Sequence, residues 1–583
     1  TGRLFQQFSV TIAVSVVISA FNALTLSPAL CALLLRRREP PKKGFFAAFN
    51  RWFARRMDKY TAFTPTLIRH VARTGVFIAA VLAVIFLVWR KLPAGFLPEE
   101  DQGYVMVMVS TPEASSLQVT QKAMIRADEV IRTLPEVAST SFAAGFNMMA
   151  GIASTDSGII FVSLVGYSDR KLTAMEIAQK LTDELYMAVP GAECFAFIPP
   201  SIPGLGITSG VSVEVQDLEG RGTAYLLEQS ERLMDSLRKL PSVASVTTQF
   251  NAGVPQRRLR IDKEQALASG VDLGVLYGDL TTLLGGAYVN NFSRFGKLYQ
   301  TYIQAAPAYR MDKRSLDSYY VASSSGESVP VSSLVEVVDT VGVEYVSQFN
   351  LYRSIGLTVT PADRTSTTTV MQDITRTAAQ VLPDDVGTAW SGTSFQEANA
   401  SKTGGLVYLL ALVFVFLALA ALYESWGLPL AILMSVPVAV LGAVLFIGVS
   451  HLLNAFYVND IYMQISLVML IGLAAKNAIL VVEYADRLFN EQGASLMDAA
   501  IGAAKLRVRP IIMTAFAFIL GVMPLIFASG VYATARNIMG VALVGGMLFA
   551  TLLGIFVYPA LYYFVGRIGG FERRRERKKQ EQS

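Results

Sequence analysis

Long apolar runs alternate with two kinds of mixed pattern along this chain. Runs suited to crossing a bilayer, which takes about twenty residues, occur at Phe8–Leu35, Val76–Trp89, Gly405–Leu422, Leu428–Gly448, Met463–Tyr484, Ile511–Phe527 and Ile538–Val565. Between the first two, Lys43–Arg69 sets Phe45, Phe46, Phe49, Trp52, Phe53, Met57 and Tyr60 mostly at three- and four-residue steps. Arg51, Arg55, Arg56 and Lys59 fill the rest of that surface. The spacing predicts an amphipathic helix, lying in a membrane interface or packed on a neighbour.

The stretch from Glu99 to Ala400 has no such runs. Tyr104–Ser110 alternates as a strand does, Ser115–Thr133 is helical, and Val137–Phe142 and Gly158–Val165 read as strands. Thr173–Ala188 is helical again and Cys194–Ile198 closes the set. That order is β-α-β-β-α-β, the split βαβ or ferredoxin-like unit. A second unit starts with Val211–Val215, Tyr225–Lys239 and Val243–Thr248, and is completed only by Ser354–Pro361, Thr367–Val381 and Val386–Trp390. The residues between read as an inserted β-rich subdomain. The expected fold is therefore an α+β membrane protein, a helical bundle carrying two ferredoxin-like units. Residues 1–98 hold two membrane helices and the interfacial helix. Residues 99–209 form the first unit, 210–256 with 344–400 the second, and 257–343 the insertion. Residues 401–583 hold five membrane helices and a basic tail.

Composition agrees with this division. The 583 residues are 52% hydrophobic and 16% charged, with a mean hydropathy of +0.43, as in a polytopic membrane protein with a substantial soluble part. The net charge of +5 is small, but basic residues crowd Arg36–Arg73, Lys505–Arg509 and Arg573–Lys579. Seven spans put all three runs on the cytoplasmic side if residues 99–400 lie outside. Two cysteines, Cys31 and Cys194, and two histidines, His70 and His451, offer no disulfide framework and no metal-type spacing. No nucleophile–base pair or phosphate loop appears, so neither an enzyme nor a cofactor is expected. The chain begins with Thr1 and runs straight into an apolar helix, so it is expected to be a piece of a longer protein.

Lys476 is the charge that demands an explanation. It lies inside Met463–Tyr484, where a cation costs a few kcal/mol unless it is paired or wetted. Glu483 shares its face but lies two turns away, and no acid sits deep in another span. A partner on another chain segment is implied, or else a lysine that snorkels to the headgroups. Thr514, inside Ile511–Phe527, either bonds its own backbone or joins a polar relay with Lys476, and Arg507 begins the same helix. In the soluble part, Gly145–Gly158 reads as a flexible glycine-rich loop with Phe146, Met148 and Met149. Phe142, Phe161, Phe195 and Phe197 flank it on strands. Such side chains suit an adaptable apolar pocket, or ordinary core packing.

Five motifs together resemble the resistance–nodulation–division multidrug efflux pumps, in their hydrophobe/amphiphile branch. They are FNALTLSPALCALLL (Phe21–Leu35), GFLPEEDQG (Gly95–Gly103), ALYESW (Ala421–Trp426), GLAAKNAILVVE (Gly472–Glu483) and LRVRPIIMTAFAFILGVMPL (Leu506–Leu525). The resemblance is to the C-terminal half of such a pump, from the sixth to the twelfth membrane helix. It implies that the two ferredoxin-like units are porter subdomains and the insertion a funnel or docking subdomain. It further implies a proton relay at Lys476, Thr514 and Arg507 facing two aspartates of the absent half. Phe142, Phe146 and Phe161 would match a distal drug pocket, Gly145–Gly158 the switch loop beside it, and Phe195 and Phe197 a proximal pocket. Met148 stands where better-known pumps carry another phenylalanine. The implied protein is an inner-membrane homotrimer with a large periplasmic domain, exchanging protons for amphiphilic substrates. It would contact membrane lipid, a periplasmic adaptor and an outer-membrane channel, and no nucleic acid. Two rivals remain at this level: a heavy-metal exporter of the same superfamily, and a membrane protein of protein export that moves no small molecule.

Overall fold

Prolines and hydroxyls decide where the apolar helices bend. The computed structural model describes residues 2–35, 44–69, 71–202, 204–206, 210–362 and 365–571; the basic runs at Arg36–Arg38 and Arg573–Lys579 lie outside them. Helices α1 (Gly2–Leu24) and α2 (Leu26–Leu34) meet at Thr25, four residues after Phe21 and three before Pro28. Pro28 has no N–H for the Leu24 carbonyl, and the Thr25 hydroxyl donates to the Phe21 carbonyl at 2.7 Å. Helix α3 (Phe45–Arg69) buries Ala47, Tyr60, Thr64 and Ile68 and leaves Phe45, Phe46, Phe49 and Trp52 exposed. It packs on the bundle and leads to α4 (Val71–Lys91).

The first soluble unit runs β1 (Tyr104–Ser110), α5 (Leu117–Ile131), β2 (Val137–Asn147), β3 (Ile152–Leu164), α6 (Ala174–Ala188) and β4 (Glu193–Phe197). Its antiparallel sheet has the order β2-β3-β1-β4. Both helices cover one face, over Val105, Val107, Val109, Ile160 and Val162. Strand alternation leaves the opposite face to Met106, Met108, Ile159 and Phe197.

The second unit repeats the pattern. Strand β5 (Val211–Asp217), α7 (Thr223–Leu237) and β6 (Val243–Thr248) come first. The insertion follows as β7 (Val254–Ile261), α8 (Lys263–Ala268), α9 (Leu273–Leu280), β8 (Ala287–Arg294), β9 (Lys297–Ile303), β10 (Tyr320–Ala322), β11 (Ser328–Pro330) and β12 (Val335–Gly342). It has its own core around Ala266, Leu276, Leu316, Val321 and Leu334. Strands β7 and β12 pair along their whole length, forming a two-stranded stalk, and β8–β9 is an exposed hairpin. The chain returns through β13 (Ser347–Phe349), β14 (Tyr352–Pro361), α10 (Thr367–Val381) and β15 (Val386–Trp390). In the second sheet β6 pairs β14, β14 pairs β5, and β5 pairs β15. This matches the β2-β3-β1-β4 order of the first sheet strand for strand.

Helix α11 (Gly392–Tyr423) starts in the soluble part and continues into the apolar region without a break. Then come α12 (Gly427–Leu433), α13 (Val436–Leu453), α14 (Ile461–Asn490), α15 (Leu496–Ile526), α16 (Ala533–Leu552) and α17 (Gly554–Ile568). Six stretches of the described residues are long and apolar enough to cross a membrane: Gln6–Leu34, Ala72–Lys91, Gly427–Leu453, Ile461–Asn490, Leu496–Ile526 and Ala533–Leu552. Val407–Tyr423 is a shorter apolar segment of α11. The run read as one span at Ile538–Val565 is two helices. The Tyr558 hydroxyl donates to the Ala550 carbonyl at 2.6 Å, the acceptor that the Gly554 N–H would take in an unbroken helix. A side chain at 554 would collide with that hydroxyl. Helices α13 and α16 touch backbone to backbone, because a Cβ at Gly442 would lie 2.3 Å from the Gly545 carbonyl oxygen.

A strap, residues 92–103, joins bundle to soluble part. The Gly95 N–H donates to the Asn459 carbonyl, the Asn459 N–H to the Pro93 carbonyl, and the Ile461 N–H to the Phe96 carbonyl. Glu100 then caps α16: Oε1 accepts from the Ala535 N–H at 2.7 Å and Oε2 from the Thr534 N–H at 3.2 Å. Its neighbour Asp101 accepts from the Ala174 N–H at the start of α6 at 2.8 Å.

Candidate functional site

The chain sets out two places with chemistry, one in the bundle and one between the soluble units. In the bundle, Lys476 stands near the middle of α14, about 22 Å from its first residue at 1.5 Å per residue. It is exposed, while Ala474, Ala475, Asn477 and Ala478 beside it are buried against the rest of the bundle. No salt bridge among the described residues includes it. The lysine therefore points away from the helices present, on a face that they leave open. Thr514 does what a hydroxyl on a helix does when left to itself: it donates to the Ile511 carbonyl at 3.1 Å. Arg507 lies across the Tyr484 ring at 4.7 Å, and its Nε is buried without a hydrogen-bond acceptor among the described residues. Helix α14, which carries Lys476 and Tyr484, packs on α15, which carries Arg507 and Thr514, and the Arg507–Tyr484 contact is the one shown among the four.

The second place is a cleft of about 740 Å³ between the two soluble units. One wall is α6, β4 and the β2–β3 turn, with Met149, Met175, Thr182, Asp183, Phe195 and Phe197. The other is β5, β6 and β14, with Ser212, Glu214, Thr247, Thr248 and Thr358, closed at one end by Tyr345. Phe195 and Phe197 stack at 5.8 Å and 18° between planes; Phe195 is 52% exposed and Phe197 5%. Phe197 thus belongs equally to the small core of Met106, Met108 and Ile159, where Met148 and Met149 also pack.

The remaining aromatic candidates divide by strand parity. Phe161 pairs with Met106, which also pairs with Phe197, so all three share the sheet face that turns toward the cleft. Phe142 pairs with Ile160 of the helix-covered core and so lies on the opposite face. Phe146 follows a register shift between Ala144 and Phe146 and is 41% exposed. Among the described residues, Phe142, Phe146 and Phe161 do not line the cleft. Gly145–Gly158, read as a flexible loop, is mostly hairpin: β2 extends to Asn147, β3 begins at Ile152, and only Met148–Gly151 turns. Gly145 (φ 88°) and Gly151 (φ 71°) supply left-handed conformations that bend it, which is why a glycine-rich segment looked loop-like.

Three acidic groups that the sequence did not single out cap helices near the junction of bundle and soluble part, Glu100 across 435 residues, Asp101 across 73 and Asp460 within its own turn. Asp460 caps α14 through the Met463 N–H at 2.8 Å and is fully buried, with Oδ2 unpartnered among the described residues. Burial pushes its carboxyl up to about 7, helped by the nearby Glu100 charge. Burial also raises Glu100. Asp101 goes the other way: burial would raise it, but Arg170 at 2.8 Å and the N–H groups of Ala174 and Gly103 hold it below the usual carboxylate range. Three consecutive acids after a Leu-Pro step, Glu99, Glu100 and Asp101, were the signal for the caps at Glu100 and Asp101. Among the described residues no group of three or more His, Cys, Asp or Glu could hold a metal ion.

Comparison with known proteins places this geometry. The AcrB/AcrD/AcrF family matches residues 1–566. The toluene efflux pump membrane transporter TtgB of Pseudomonas putida is 36% identical, over 98% of this chain and 54% of its own length. The multidrug resistance protein MdtF of Escherichia coli K12 is 34% identical over 97% of this chain and 54% of its own, and the multidrug export protein AcrF of the same strain 33% over 97% and 55%. The chain thus spans about half the length of the curated relatives it matches. With six stretches among the described residues long and apolar enough to cross a bilayer, it is a multi-pass inner-membrane protein with a large periplasmic part. By a match that runs over nearly all of its length, the chain belongs to the AcrB/AcrD/AcrF family.

Proposed function

We propose that the chain is part of a proton-driven antiporter that exports amphiphilic compounds, not an enzyme. The observation that carries this is Lys476: a cation at mid-helix, turned away from the bundle and unpaired among the described residues. Such a charge has a cost that is repaid when a carboxylate faces it, and protonation of that carboxylate loosens the pair. The relatives named as toluene, multidrug and antibiotic efflux transporters support the substrate class. In this reading the chain corresponds to the half from the sixth to the twelfth membrane helix, and the acids facing Lys476 belong to the other half. Lys476, Thr514 and Arg507 then form the relay. Thr514 leaves its own backbone to join when the pair reforms, and Arg507 is held ready by Tyr484.

The two soluble units, with their repeated strand order, act as ferredoxin-like porter subdomains at residues 99–209 and at 210–256 with 344–400. The insertion at 257–343 acts as the docking subdomain. Its β8–β9 hairpin exposes Tyr288, Phe292, Leu298 and Tyr302, apolar surface suited to a second copy in a homotrimer. Phe195 and Phe197 contact substrate in the cleft, while Phe146, Met148 and Phe161 serve a deeper pocket that forms when the hairpin moves; Phe142, on the helix-covered face, stands outside it. A periplasmic adaptor and an outer-membrane channel complete the path. The test is Lys476→Ala in the intact transporter: proton-coupled export is lost while assembly persists, and normal export by that variant would refute the assignment.

A further inference from the structure

The cleft between the units carries a net charge among its aromatic and hydroxyl side chains. Its lining includes Asp183 of α6 on one side and Glu214 of β5 on the other, and no lysine or arginine among the described residues. Neither carboxylate takes part in a salt bridge or hydrogen bond among the described residues. Other acids of the same units are neutralised by contrast. Asp101 has Arg170, Asp385 has Arg221 and the Tyr225 hydroxyl, and Asp217 accepts three backbone N–H groups.

The fold also keeps space open around Glu214. Its strand partner on β14 is Gly356, and a Cβ there would come within 3.4 Å of both carboxylate oxygens. Glu214 lies near enough to Tyr345 to add, after burial and Glu344, to the upward push on that phenol. Aromatic faces stand within the same cleft: Phe195 stacked on Phe197 across from β5, and Tyr345, which meets Phe250 edge to face at 6.1 Å. Acid and ring together recognise one chemical class. An organic cation with apolar substituents gains Coulomb attraction from a carboxylate that has no counter-ion, and cation–π attraction from the rings. A neutral amphiphile gains only the apolar part, and an anion is repelled.

We infer that the cleft selects lipophilic organic cations, with Glu214 and Asp183 supplying the charge and Phe195, Phe197 and Tyr345 the apolar and π contacts. This rests on reading the cleft as the substrate site of an exporter, and it is tested by binding, which needs no export. The probes are tetraphenylphosphonium and tetraphenylborate, equal in shape and opposite in charge, titrated into the purified 583-residue chain in a non-ionic detergent. The phosphonium is expected to bind at least tenfold more tightly than the borate. Glu214→Gln and Asp183→Asn, both near-isosteric, are each expected to weaken phosphonium binding about tenfold and to leave or improve borate binding. Glu228→Gln, on the outer side of α7 beside Arg232, should change neither. Equal binding of the two ions, binding of neither, or phosphonium affinity unmoved by both cleft variants overturns the inference. If cation binding behaves as stated while the intact protein fails to export, the transport reading falls and the cleft's selectivity stands.

Discussion

Glu100 and Ala535, 435 positions apart, are joined by a 2.7 Å hydrogen bond from the Ala535 N–H to the Glu100 carboxylate. The bond fastens α16 to the strap, and the next residue, Asp101, fastens the strap to α6. Two consecutive side chains thus clasp a membrane helix and a soluble one.

Removing the first clasp should therefore cost more than a surface cap. Glu100→Ala leaves the buried Ala535 N–H and the half-buried Thr534 N–H without an acceptor, and is expected to destabilise by about 1–3 kcal/mol. Glu100→Gln keeps one acceptor and should recover most of that. Thermal unfolding of the detergent-solubilised chain, followed by intrinsic fluorescence, orders the three proteins; an unchanged Glu100→Ala midpoint would deny the cap a role.

Asp460 should make stability depend on pH in a definite direction. The folded carboxyl titrates near 7 and an unfolded one near 4, so between those values the native state holds a proton that the unfolded chain has lost. Stability contributed by this group then falls as pH rises from about 4 to 7. Asp460→Asn, which preserves an N-cap acceptor, is expected to flatten that slope and to be the more stable protein at pH 8. The unfolding midpoint measured across pH 4–8 decides it.

Tyr60 reaches from α3 into α17. Pro559 cannot donate to the Ile555 carbonyl, and the Tyr60 hydroxyl donates there instead at 2.7 Å. Tyr60→Phe keeps the ring contact with Phe556 and removes only the bond, so a loss of about 1–2 kcal/mol is expected. Proteolysis at the α3–α4 junction should quicken accordingly.

Gly442 admits no side chain. Gly442→Val would force apart α13 and α16, whose backbones meet at Gly545, at a cost of about 3 kcal/mol or more. Gly472, on α14, has nothing within 4 Å of its absent Cβ and should accept alanine without loss. The pair separates close packing from a general intolerance of glycine replacement.

Much of the architecture could be read from spacing alone. The runs at Tyr104–Ser110 and Val211–Val215 lie where β1 and β5 form: Val105, Val107 and Val109 alternate with Met106 and Met108 between two cores, and Val211, Val213 and Val215 with the half-buried Ser212 and Glu214. The lysine at 476 was conspicuous for the same reason: its neighbours leave no ambiguity about its surroundings. Legibility fails where a partner is remote or a hydroxyl intervenes. Nothing in Ile538–Val565 announces that Tyr558 will take the Ala550 carbonyl and split the helix. Nothing near Glu214 shows that Gly356 will stand opposite it with no charge to neutralise it, for that pairing crosses the whole inserted subdomain.

Helix α11 runs unbroken from Gly392, just after β15, to Tyr423, about 48 Å of continuous backbone. Near its outer end the Glu397 carboxylate is held by the hydroxyls of Thr367 and Thr368 at the start of α10. No flexible linker separates the bilayer from the second soluble unit at this point. A stiff rod clamped to a hinge plate cannot turn at one end and stay still at the other. Whatever twist the lipid-embedded end undergoes must arrive at α10 undamped, as torque rather than as a signal passed from residue to residue.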